Sequence, residues 1–181
     1  VSVSPLFVFD RRRDALRARA VLRRLPALTG EPIRILRRPG LREGSRAVHA
    51  GSFLRDRRIE FNCSAREFGR VFVHEVFHFV WLRLGNGRRL SYENLLQLEC
   101  AARAHGELGW SAEWRKRALR SADWETRSRR WRQYCCESFC DSAAWLYSGV
   151  KRHEEFTLAG RFRRRRRDWL EAASARGPFS L

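Results

Sequence analysis

The residues best placed to do chemistry are His74, Glu75 and His78, in the run Val73-His74-Glu75-Val76-Phe77-His78-Phe79. On a helix, side chains four apart lie one turn apart on the same face. Two imidazoles at that spacing can ligate one tetrahedral zinc ion at about 2.0–2.1 Å. Glu75 is the next residue along, where a carboxylate reaches the water of such a centre without itself being a ligand. This chemistry requires a helix, a third ligand and an open position for water. The competing reading is structural: two core histidines bonded to backbone, with Glu75 paired to one of the many arginines.

The helix is predicted over about residues 65–84. It lacks proline and is apolar nearly all round, with Phe68, Val71, Phe72, Val73, Val76, Phe77, Phe79, Val80, Trp81, Leu82 and Leu84, the pattern of a helix buried in a core. Two histidines and a glutamate inside it are costly without compensating partners. Asn62 or Ser64 can cap it, and Ser64-Ala65-Arg66-Glu67 has capping-box spacing. Gly85-Asn86-Gly87 ends it. Upstream, Asp10–Leu25 reads as a helix stopped by Pro26. Pro32–Arg37 and Arg58–Asn62 alternate as half-buried strands, with Ala47–Leu54 between them. The expected fold class is therefore α+β: a single, mostly helical domain over 1–181, with a small antiparallel sheet (about 31–62) preceding the metal-binding helix. Downstream helices are expected at Tyr92–Glu107, Ala112–Ser121, about 133–148 and about 153–173. The stretch Asp123–Arg132 fits either helix or loop.

A third ligand is sought in Gln133–Tyr147. Glu137, Cys140, Asp141, Ala144 and Trp145 fall at i, i+3, i+4, i+7 and i+8, one helical face. Two carboxylates on a small or apolar face demand a partner, either a metal or arginines. The combination H-E-x-x-H followed by E-x-x-x-D resembles the gluzincin metallopeptidases. The resemblance implies that Glu137 is the third metal ligand with His74 and His78. It also implies that Asp141 takes the free ring N–H of His74, that Glu75 is the general base, that the cofactor is Zn2+, and that the substrate is a peptide or protein. The order of small sheet, metal helix and glutamate helix is similar to a pared-down zincin, somewhat like the ImmA/IrrE family. The likeness covers about 58–84 and 133–147. The 58 residues between His78 and Glu137 are more than compact gluzincins have, and the small size predicts a shallow cleft or one completed by a partner. No motif marks an oxyanion stabiliser; Tyr134, Tyr147 and His153 are candidates by nearness to Glu137 in sequence. A metzincin is excluded, because Trp81 and Leu84 stand where that pattern has Gly and a third His, and the chain has no Met.

The formal charge of +18 is the strongest compositional signal. Of 38 basic residues 36 are Arg, Lys116 and Lys151 being the exceptions, a ratio that codon bias toward GC-rich DNA explains without a ligand. The excess of base over acid is not so explained, and nucleic acid or another polyanion is the alternative partner. The run Arg163–Arg167 must splay around its helix. Five cysteines form no regular disulfide framework and point to a reducing, cytoplasmic location; Cys135, Cys136 and Cys140 match no zinc-ribbon or finger spacing. No apolar run is long enough to span a membrane, and the first residues do not read as a signal peptide. The expected function is a zinc-dependent metallopeptidase that hydrolyses peptide bonds with a zinc-activated water and a glutamate base. The alternatives are a nucleic-acid-associated regulatory protein with a zincin core, or a non-catalytic zincin-like interaction domain.

Overall fold

The computed structural model describes residues 2–181. Five strands form the main sheet: β1 (Ser2–Ser4), β2 (Phe7–Phe9), β4 (Ile33–Arg37), β7 (Ala50–Phe53) and β8 (Arg58–Phe61), in the order β1-β2-β4-β8-β7. Helix α1 (Arg12–Leu22) carries the chain from β2 across to β4, and β3 (Leu28–Thr29) lies on that path. A two-stranded ribbon, β5 (Arg42–Glu43) with β6 (Arg46–Ala47), precedes β7. The helical part follows: α2 (Phe68–Arg83), α3 (Asn86–Ala101), α4 (Trp110–Arg117), α5 (Ser121–Glu125), α6 (Arg129–Tyr147) and α7 (Gly160–Ala175), before a closing strand β9 (Phe179–Ser180). The α+β class, mostly helical with a small sheet ahead of the main helices, is as expected.

The sheet is mixed, not antiparallel as expected. β4 runs parallel to both β2 and β8, and only the β1–β2 and β7–β8 pairs are antiparallel. Parallel neighbours need a crossover of a dozen or more residues, which α1 supplies between β2 and β4, and residues 38–57 between β4 and β8. The sheet also starts near residue 2 rather than 31, since three-residue strands carry too little alternation to be read.

Side chains on one face of this sheet form a row that leads to the site. Phe9 pairs with Ile35, Ile35 with Ile59, and Ile59 with Ser52, so these four share a face. The first three are buried, and the row turns polar only at edge strand β7. Above it lies α2, whose Phe72 ring sits 5.3–6.4 Å from Phe7, Phe9, Phe61 and Phe68. The opposite side of α2 packs on α6. Being covered on both sides, α2 needs apolar residues nearly all round, as its sequence has.

The chain end is drawn into the same core. β9 pairs in parallel with β3, Phe179 meets the Phe77 ring edge-on at 6.0 Å, and Leu181 N donates to Thr29 O. Gly30, at φ +124°, lies so close that a Cβ there would be 2.8 Å from the Leu181 carbonyl oxygen.

Other boundaries shift. The last helix begins at Gly160, not near 153, because Thr157 and Leu158 give their amides to the Glu107 carbonyl while Phe156 and Leu158 fill a small second core with Ala104, Leu108 and Phe162. The capping box forms by half: Ser64 Oγ accepts the Glu67 amide, but the Glu67 carboxylate turns to Arg70 and His153. No helix among the described residues is long and apolar enough to cross a membrane.

Candidate metal centre

His74 and His78 project from α2 toward α6, where Glu137 faces them. The two Nε2 atoms are 3.2 Å apart. Glu137 Oε2 lies 3.3 Å from that of His74 and 3.9 Å from that of His78. Three atoms bound to one tetrahedral zinc at 2.0–2.1 Å would be about 3.3–3.4 Å from one another, so the donors already stand near that spacing. The three side chains are 11–18 % exposed.

The electrostatics favour a cation. Burial works against the charged form of His74, but Asp141 and then Glu137 outweigh it and hold the ring well above the usual imidazole range. Burial also opposes a charge on His78, yet the Cys136 sulfur brings it to about 9. Burial would raise Glu137, but His74, His78 and Arg115 bring it down to about 2. Only one proton fits between two ring nitrogens 3.2 Å apart, so two facing imidazolium rings are not an option here. Surroundings that want positive charge, with room for one charge between the rings, suit a metal ion.

Asp141 anchors this arrangement. Its Oδ1 accepts the Nδ1 proton of His74 at 2.7 Å, which leaves the Nε2 lone pair facing His78 and Glu137, and such a partner fixes the tautomer and raises ligand basicity. Its Oδ2 accepts the Ala112 amide at 3.1 Å, and Glu155 accepts the Trp110 amide at 2.8 Å. Two carboxylates thus meet the positive end of α4. That fixes α4 so that Arg115, one turn on from Ala112, reaches Glu137 Oε1 at 3.2 Å.

Gly109 makes room for the anchor. A Cβ there would stand 2.2–2.3 Å from the Asp141 carboxyl atoms. The backbone at Gly109 is extended, φ −176°, so the requirement is space, not conformation. Gly109→Ala is expected to push Asp141 off His74 and weaken zinc binding by roughly 10–100-fold, the usual cost of losing a ligand's hydrogen-bond partner. Zinc titration against a competing chelator measures this; unchanged affinity would mean that Asp141 does not orient His74.

Glu75 points away from α6, toward the sheet edge. Ser52 Oγ lies 2.5 Å from Glu75 Oε2 and 2.9 Å from its carbonyl oxygen. The cross-sheet row explains the contact, since position 52 must face α2, and a serine there satisfies a buried carboxylate that an apolar residue would strand.

The three residues named as candidate oxyanion stabilisers are engaged elsewhere. Tyr134 is fully buried and donates to Glu107 at 2.6 Å. Tyr147 stacks on Phe77 at 5.7 Å. His153 lies by Glu67 and Glu155 at the start of α2. The sequence offered no sign of Arg115, Ser52 or Gly109: one arginine among 36, an ordinary serine and an ordinary glycine.

The spacing of Cys136 gives no sign of a histidine partner, yet its Sγ lies 3.5 Å from His78 Nδ1. Hydrogen bonding from Cys140 first, and then from His78, keeps its thiol below the ordinary range despite burial. All five cysteines are free thiols. No protein-family model, curated protein or solved structure matches the chain.

Proposed function

We propose that the protein is a zinc-dependent peptidase of gluzincin type, with His74, His78 and Glu137 as ligands. The observation that carries this is the convergence of three donor atoms from two helices, with Asp141 bonded to the far nitrogen of His74. A zinc ion held there would supply Lewis acidity, acidifying water and polarising a scissile carbonyl. Glu75 sits on the next face of the same helix. With Oε2 tied to Ser52, its other oxygen takes the proton of the attacking water and passes it to the leaving amine. Arg115 is ion-paired with Glu137 and, at 40 % side-chain exposure, is a group available to meet negative charge on the reacting carbonyl or a substrate carboxylate.

The test is a peptide library offered to the zinc-loaded protein and read by mass spectrometry. Cleavage is expected, and Glu75→Gln should retain zinc while slowing it about 10²–10⁴-fold, the usual contribution of a general base. No cleavage by the zinc-loaded protein, or equal rates for Glu75→Gln, would overturn the proposal.

A further inference from the structure

His78 has a second ring nitrogen, and the same two helices surround it with sulfur. Cys136 and Cys140 stand one turn apart on α6. Their sulfurs and a ring nitrogen of His78 all lie within 4.8 Å of one another. The 3.5 Å between Cys136 Sγ and His78 Nδ1 is about the separation of a thiolate and an imidazole nitrogen bound to one tetrahedral ion at zinc distances. Cys140 is fully buried. In such a setting charge balance matters: two thiolates cancel a divalent cation, whereas two imidazoles and one carboxylate leave it with a net positive charge.

We propose that His78, Cys136 and Cys140 form a second donor set, selective for a thiophilic divalent cation, which competes with the first set for His78. Thiolate donors favour soft cations and bind a softer ion than zinc in preference to it, while imidazole suits zinc and carboxylate suits harder ions. A neutral imidazole has one lone pair to give. A cation on Nδ1 leaves the proton on Nε2 and takes His78 out of the first set, which keeps only His74 and Glu137. A soft metal would therefore switch the chain from one centre to the other. The second set needs nothing from the peptidase reading; only the consequence for zinc at the first set rests on it.

Cadmium is the probe. Titrating Cd2+ into the reduced, zinc-loaded protein should raise the ultraviolet thiolate-to-cadmium absorption to saturation at about one equivalent, the capacity of a single site, with zinc released in step. Cys136→Ser with Cys140→Ser should lose the band. Glu137→Ala should keep it, which separates failure of the first set from failure of the second. Cadmium-113 NMR of the unmutated protein counts the sulfurs without any substitution that risks the fold. A resonance in the two-sulfur range is expected, and one in the nitrogen–oxygen range would overturn the proposal. So would the absence of the band, or its survival in the double variant. A full band with all zinc retained would overturn the competition for His78.

Discussion

Glu137→Ala is expected to bring bound zinc from about one ion per chain, the capacity of a single three-ligand centre, to well below that. Removing the carboxylate leaves two histidines one turn apart, and the loss of affinity should exceed the roughly 10–100-fold that follows from losing only a ligand's partner. The substitution also gives up a carboxylate that His74, His78 and Arg115 hold ionised, so some stability goes with it, but it need not unfold the chain. Glu137 keeps 15 % of its side chain exposed, and of the partners it abandons, Arg115 lies 40 % exposed and can turn to water. Metal analysis after dialysis, with a thermal melt of the same sample, separates loss of zinc from loss of structure. Zinc held at full affinity by a folded Glu137→Ala would place the third ligand elsewhere and remove the basis of the gluzincin assignment.

The second large effect lies away from the centre. Arg166, the fourth of five consecutive arginines, is fully buried. Its guanidinium bonds Glu99 and Glu107 at 2.6–3.2 Å, and Glu107 also receives Lys116 and the Tyr134 hydroxyl. Arg166→Met would strand the buried Glu99 carboxylate and leave Glu107 with Lys116 and Tyr134 alone. Breaking a buried pair from one side costs about 3–5 kcal/mol, a large part of the roughly 5–15 kcal/mol that holds a domain together. The melting temperature should fall by roughly 10 °C for a chain of this size.

The same cluster sets an acid limit. Burial alone would raise the Glu107 pKa, but Arg166, Lys116 and Tyr134 outweigh it and bring it from 4.5 to about 2. A folded-state pKa below the unfolded value means that the stabilisation is complete above about pH 4.5 and is lost as pH falls toward 2. The shift corresponds to about 3 kcal/mol. In Arg166→Met, Glu107 has lost that charge partner, so acid should relieve the variant while it weakens the parent. The stability gap should narrow between pH 7 and pH 3 in urea titrations. A gap below about 1 kcal/mol at pH 7, less than breaking a buried pair costs, or one unchanged at pH 3, would mean that the cluster does not carry this charge.

What depends on the geometry of a single helix is legible in the residues alone. That His74 and His78 share a face, and that Glu137 and Asp141 share another, follows from 3.6 residues per turn. The buried character of α2 followed from its composition, and the α+β class from the order of alternating and helical stretches. Which faces meet depends on packing between distant elements. Arg115 reaches Glu137 because Asp141 and Glu155 hold the start of α4, and Ser52 reaches Glu75 because the strand register passes a row of side chains across the sheet to its edge. The mixed sheet depends on crossovers that local patterning does not record. The run Arg163–Arg167 is the clearest case: five identical side chains carry no local signal of which one is buried. Arg166 alone is enclosed because, where α7 packs on α3 and α6, it is the one facing Glu99 and Glu107, and only a charge so paired can be taken out of water.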